Sequence, residues 1–214
     1  MTAPRVHVVD HPLAQRALCA MRDKTQSAPL FRSTLHYLSL FLVSEATKTL
    51  TYDETPFDAS SGTLPTFSIR ERIGVVPIWR AGSGMLDAAL AILPEDTVVH
   101  HLGMYREAET LSTVEYYNRL PKSCHVDSVL ILDPLVATGG TSSAAIHTVE
   151  EWGVPASRVT LVSVLATKQG LDYVRRQHPE VTVVVAGYQD ELDEKGIAHP
   201  GLGDVGDRLY GTEL

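Results

Sequence analysis

Apolar residues recur at three- and four-residue spacing across residues 11–48, starting with Leu13, Ala17, Leu18 and Met21. His11-Pro12-Leu13 opens this stretch, and the spacing predicts a helix. A second helix is predicted from about Phe31 to Thr47, with Leu35, Leu38, Leu42 and Val43 as its apolar stripe. Both stripes read as core packing. Over residues 49–70 the helical period fails. Thr51, Tyr52, Thr66, Phe67 and Ile69 favour strand, while Pro56, Ser60, Ser61, Gly62 and Pro65 punctuate the middle. Two readings fit: a projecting hairpin or arm of the kind that makes dimer contacts, or a surface loop.

Five short apolar runs follow, at Ile73–Ile78, Thr97–Leu102, Ser128–Leu132, Val159–Leu165 and Val181–Ala186. Each is rich in valine or isoleucine and nearly continuous, as in strands buried on both faces of a parallel sheet. Helical stretches separate most of them. These are Leu86–Leu93, a segment marked by Ser142, Ala145, Ile146 and Val149 that ends at Trp152-Gly153, and Leu171–Gln177. Alternation of strand and helix predicts an α/β fold with an open, mostly parallel five-stranded sheet flanked by helices. Ligands of such sheets bind at the carboxyl ends of the strands. Pro77 inside the first run points to an irregular backbone there. No internal repeat or low-complexity tract is evident.

Composition narrows the classes. The chain has 214 residues, which suits one domain over 1–214 with an ample core. A net charge of −8 and no extended basic run argue against a nucleic-acid binder, while a local basic pocket for a small anion stays compatible. Cys19 and Cys124 lie far apart and outside any C-x-x-C pair, so they read as reduced thiols. No basic-then-apolar leader opens the sequence, and no apolar run approaches the roughly 20 residues that span a bilayer. A cytoplasmic protein is expected.

The most informative stretch is Asp133-Pro134-Leu135-Val136-Ala137-Thr138-Gly139-Gly140-Thr141. An apolar strand delivers an acidic residue, a loop of small and hydroxyl residues follows, and a helix then begins. Uncovered backbone N–H groups converge with the helix N-terminus, which makes an anion site suited to phosphate. Thr138 and Thr141 add hydroxyl donors. Asp133 would repel the phosphate itself, so it fits hydroxyls or a metal on the same ligand, and a sugar phosphate carries both. No G-x-x-x-x-G-K-[S/T] occurs, so this is not a P-loop. On spacing alone an ordinary capped strand–turn–helix also fits.

This stretch resembles the phosphoribosyl diphosphate (PRPP) loop of type I phosphoribosyltransferases, and its Asp-Pro resembles the uracil phosphoribosyltransferase family. Four further segments resemble that family in the same order: HPLAQRALCAMRD with SEAT near the N-terminus, VVPIWRAGSGM at 75–85, GMYREAET at 103–110, and PGLGDVGDRLYGT at 200–212. The resemblance implies transfer of a phosphoribosyl group from PRPP to a pyrimidine base, with uracil giving UMP and diphosphate. It implies Mg²⁺ on the diphosphate, a homodimer or higher homo-oligomer, and no nucleic-acid or membrane partner, and it leaves open a nucleotide effector. By this resemblance Arg80, Arg106, Asp133 and Asp204 are the catalytic candidates. Arg80 with Ala81 and Gly82, and Arg106 on a closing loop, would hold diphosphate. Asp133 would take the ribose hydroxyls, and the segment from Pro134, Leu135 and Val136 through Ala137, Thr138, Gly139, Gly140 and Thr141 would hold the 5′-phosphate. Ala198, Gly203, Asp204 and Val205 would meet the base, and Asp204 is the one protein group implied near the metal. Glu107 and Glu109 read as solvated loop charges, and His100-His101 as core or edge residues.

Two regions depart from the family pattern. Ile197-Ala198-His199 replaces an aromatic and two branched aliphatics before the base loop, and Ala166-Thr167-Lys168-Gln169-Gly170 replaces a more apolar turn. Ala198 removes volume and His199 adds a polar group. A relative with altered base specificity, or a weakly active or regulatory nucleotide-binding protein, is therefore the alternative. Gly201-Leu202-Gly203-Asp204-Val205-Gly206 also fits G-x-G-x-x-G, but Pro200 precedes it and only eight residues follow. A dinucleotide site needs a strand before and an acid about 20 residues on.

Overall fold

A computed structural model of the chain describes residues 6–107, 113–192 and 198–212, except for the side chains of Arg106, Glu191, Leu192, Ala198 and His199. The N-terminal part holds β1 (Val6–Val8), α1 (Pro12–Met21), α2 (Ala28–Ala46), β2 (Tyr52–Ala59) and β3 (Gly62–Ile69). The central part holds β4 (Ile73–Trp79), α3 (Leu86–Ile92), β5 (Val98–Val99), β6 (Leu102–Arg106), β7 (Thr113–Asn118), β8 (Ser128–Leu132) and β9 (Leu135–Val136). The remainder holds α4 (Gly140–Trp152), β10 (Val159–Thr167), α5 (Lys168–Gln177), β11 (Thr182–Gln189), β12 (Glu191–Leu192), β13 (Ala198–His199) and α6 (Val205–Tyr210).

The main sheet runs β1-β11-β10-β8-β4-β6-β7, with β5 beside β4 and β9 beside β10. Every pair is parallel except β6–β7. Side-chain parity explains why the strands read as continuous apolar runs. In β8, Leu130 and Leu132 face α1, α2, α3 and α6, while Val129 and Ile131 face α4 and α5. Both faces are covered, so both sets of positions are apolar.

All five predicted apolar runs lie in this sheet. The second is split: His100 and His101 interrupt it between β5 and β6. His100 meets the edge of Trp152 at 5.1 Å between ring centroids, and His101 lies against Trp79 at the same separation. Sheet edges β1 and β7 extend the predicted five strands. β1 is only three residues long, and β7 intersperses Thr113, Glu115 and Asn118 among its apolar positions, so neither carries a continuous apolar run. In β4 the irregularity expected near Pro77 falls two residues later, where the Trp79–Arg80 peptide bond is cis.

Residues 52–69 form an antiparallel hairpin, β2 with β3, that is a separate two-stranded sheet. Tyr52, Phe57, Leu64 and Phe67 are exposed on it. Of the two readings of this region, the projecting arm is the form taken. Among the described residues no helix is long and apolar enough to cross a membrane.

Candidate active site

Strand order places the site. The chain leaves β4 for β6 on one side, then returns to β8 on the other side of β4 and continues outward to β10 and β11. The crevice between the carboxyl ends of β4 and β8 is therefore the switch point of the sheet, where open α/β folds bind ligands. Arg80 directly follows β4 and Asp133 directly follows β8. Together with Thr141 and Asp204 they line one cleft of about 460 Å³, walled by Tyr105 and Tyr116.

After Arg80 the chain makes a 3₁₀ turn, Ala81–Met85, before α3. Gly82 is required there, because a Cβ would lie 2.2 Å from the Leu132 carbonyl oxygen. This close approach sets the Arg80 segment against the end of β8. Arg80 Nη2 donates to Asp207 Oδ1 at 2.9 Å and Nη1 to Thr212 Oγ1 at 3.2 Å. Asp204 Oδ1 lies 4.0 Å from Nη2. The side chain of Arg80 is half-exposed, so it still faces the cleft.

Asp133 accepts a hydrogen bond from Ser142 Oγ at 2.7 Å. Burial pushes its carboxyl up to about 6, against the opposing effect of the Ser142 hydroxyl and the Leu135 N–H. Pro134 turns the chain into β9; its carbonyl accepts from the N–H groups of Val164 and Leu165. Leu135 and Val136 pair with β10, and Val136 is buried in the core. These three residues support the loop, and the Val136 side chain does not reach the cleft. Ala137 and Thr138 form the bend that follows. Gly139, at φ +83°, is the N-cap of α4 and gives it no side-chain cap. The first-turn N–H groups at Gly140 and Thr141 are thus left without a side-chain partner from the N-cap, as an anion site requires.

The replaced turn at 166–170 braces this loop. Thr167 Oγ1 caps α5 by accepting from Gly170 N at 2.9 Å, and donates to the Ala137 carbonyl. Gly170 has no room for a Cβ, which would lie 2.4 Å from the Ala137 carbonyl oxygen.

The C-terminal segment differs from the loop expected there. Gly203, at φ +72°, turns the chain, Asp204 caps a short helix by accepting from Asp207 N at 2.9 Å, and Val205 begins that helix, α6. Val205 puts its side chain into the core with Leu202 and Leu209, so only its backbone is offered to the cleft side. Arg208 anchors the segment: it donates to the carbonyls of Met21, Leu202 and Asp23, and lies 4.1 Å over the Phe31 ring. Ala198 has its backbone in β13, opposite Leu192. The side chains of Ala198 and His199, and all of Ile197, lie outside the described residues. So do the Arg106 side chain and Glu109; the backbone of Arg106 ends β6 opposite Thr113.

Sequence reasoning missed Asp207, Thr212, Ser142 and Thr167. Each acts by holding another residue, and single-residue motifs carry no signal for that. The one available hint was Asp207 at the third position after an N-cap aspartate, where a carboxylate usually serves the helix start.

A parallel sheet with an acidic strand end, a glycine-capped helix beyond it and an arginine at the neighbouring strand end defines a type I phosphoribosyltransferase-like fold. The family model for uracil phosphoribosyltransferase matches residues 8–212. A uracil phosphoribosyltransferase of Roseiflexus sp. (strain RS-1) is 42% identical over 208 residues, 97% of this chain and 99% of that protein. That of Alkaliphilus oremlandii is 39% identical over 210 residues, 98% of this chain and 99% of its own length. The solved structure of the AQ2163 protein from Aquifex aeolicus superposes with a TM-score of 0.90 at 35% identity, covering 98% of this chain and 99% of that one. APRTase from Giardia lamblia shares the fold at a TM-score of 0.50, 18% identity, and 74% and 81% coverage. This chain belongs to the uracil phosphoribosyltransferase family.

Proposed function

We propose that the protein transfers the phosphoribosyl group of PRPP to uracil, giving UMP and diphosphate in pyrimidine salvage. The observation that carries this reading is the convergence of Arg80, Asp133 and the N-terminus of α4 on the switch-point cleft. The 5′-phosphate sits on the first-turn N–H groups of α4, with Thr138 and Thr141. Asp133, as carboxylate, accepts from the ribose hydroxyls. Arg80 and Arg106 neutralise the departing diphosphate, on which charge grows as the C1–O bond breaks. The uracil nitrogen bonds to C1 as the C1–O bond breaks, and the proton that nitrogen loses passes to the released diphosphate. Backbone groups of Gly203 to Val205 meet the base edge, and Ala198 borders it.

Among the described residues no three His, Cys, Asp or Glu side chains come together to hold a metal. Mg²⁺ would be carried mainly by diphosphate oxygens, with Asp204, which lines the cleft and lies 4.0 Å from Arg80 Nη2, as the protein carboxylate beside it. When bound, the ion supplies further neutralisation of the leaving group. The exposed apolar hairpin supports a homodimer, the single-domain reading covers 1–214, and the cytoplasm is the expected compartment.

The deciding assay mixes protein, PRPP, Mg²⁺ and a panel of bases. UMP from uracil is the expected product. Turnover of another base in preference to uracil favours altered specificity through residues 197–199, and no diphosphate release with any base rejects the reading.

A further inference from the structure

Asp207 occupies the third position of α6, where a carboxylate commonly reaches back to the N-cap. Here Asp204 already caps the helix, and Asp207 turns across to Arg80 instead. Gly211, at φ +67°, folds the chain back over the helix end, with its N–H and that of Thr212 donating to the Asp207 carbonyl. Thr212 Oγ1 then donates to Asp207 Oδ1 at 2.7 Å while accepting from Arg80 Nη1. Both ends of the guanidinium fork are therefore held by the C-terminal segment. Gly206 completes the fit: a Cβ there would lie 3.2 Å from Nε and from Nη2 of Arg80. Two of five guanidinium N–H donors are used in this way, which leaves others for anionic oxygens.

We propose that Asp207 and Thr212 are positioning residues that aim Arg80 into the cleft and tie the base segment to the diphosphate subsite. The inference rests on the reading above that Arg80 takes the diphosphate. An ion pair this open to water contributes little to stability. Its geometry therefore matters for where Arg80 points more than for whether the chain folds. The Asp207 carboxyl lies below the usual range because Thr212 and then Arg80 donate to it, so it is ionised at neutral pH.

The test is a double-mutant cycle on the full chain, with KM and kcat for PRPP, the Kd of inorganic diphosphate with Mg²⁺, and the thermal midpoint as readouts. Asp207→Asn and Thr212→Val are each expected to raise the KM for PRPP and the Kd for diphosphate about tenfold or more, as small misplacements of a binding group do. Their thermal midpoints should stay near that of the parent. Arg80→Ala should cost at least as much, and adding Asp207→Asn to it should cost nothing further, because Asp207 acts through Arg80. Thr212→Val carries the test alone if the Asp207 variant does not fold. If Arg80→Ala binds diphosphate and PRPP normally, the reading of Arg80 itself fails. If Arg80→Ala is impaired while the other variants are normal, or if their effects add, positioning by Asp207 and Thr212 is overturned.

Discussion

At the scale of single residues, Asp133 pays in stability for its place in the cleft. Its carboxyl is raised from an ordinary 3.8 to about 6 by burial. Between those values the folded chain holds a proton that the unfolded chain has released. This group's contribution is therefore most favourable below 3.8 and is lost as pH rises through about 6. Asp133→Asn should accordingly raise the thermal midpoint at pH 8 while abolishing most PRPP turnover, and its stability gain should shrink as pH falls towards 5. Thermal melts across that range check the sign; a gain that grows on acidification contradicts it. Gly82 supplies a second residue-scale case. Gly82→Ala drives a methyl into the Leu132 carbonyl oxygen, and is expected to cost at least ~2 kcal/mol in chemical denaturation. Signals for the two residues differed in strength. Asp133 stood out because an acid ended an apolar run, whereas the need for glycine at 82 depends on β8, distant in sequence.

Among elements, the decisive joint lies between the bend at 137–139 and the start of α5. Thr167 links them with one hydroxyl that caps α5 and donates to Ala137. Thr167→Val keeps the shape and removes both bonds, so it should lower stability by about 1–2 kcal/mol. A circular-dichroism melt measures that loss. The KM for PRPP should rise with it, since the loop loses its brace; an unchanged melt would show that the cap contributes nothing. Helices α1 and α2 were legible from their spacing, and β8 and β10 from their unbroken apolar content. The second run was not legible as two strands, because period alone does not reveal a break at His100-His101. Nor was β7, whose residues alternate on a solvent-facing edge. Helix α6 was hidden by its glycines, which suggested a loop; its cap at Asp204 and the core contacts of Leu209 make it helical.

For the molecule as a whole, the hairpin β2–β3 is the largest departure from a covered surface. Phe57, Leu64 and Phe67 each expose more than half of their surface. A two-stranded ribbon of this kind is marginal in water alone, and in the proposed homodimer it would gain by packing on the second copy. Replacing Phe57 and Phe67 by serine should shift a dimer towards monomer in sedimentation experiments, with little change in the melt of the main sheet at low concentration. A parent protein that sediments as a monomer rejects this use of the arm.

The sequence by itself determined the α/β class, the order of the five core apolar runs and of the helices between them, and the acid–loop–helix segment after β8. All of these are local: a period of hydrophobicity or a run of small residues carries them within a dozen positions. Tertiary structure alone decided that β4 lies between β6 and β8, which makes the switch-point cleft and sets Arg80 beside Asp133. It also decided that Arg80 is gripped by Asp207 and Thr212, 127 and 132 residues away in sequence. Such pairings depend on chain crossovers and on which backbone groups remain unpaired after packing, and no local pattern encodes either.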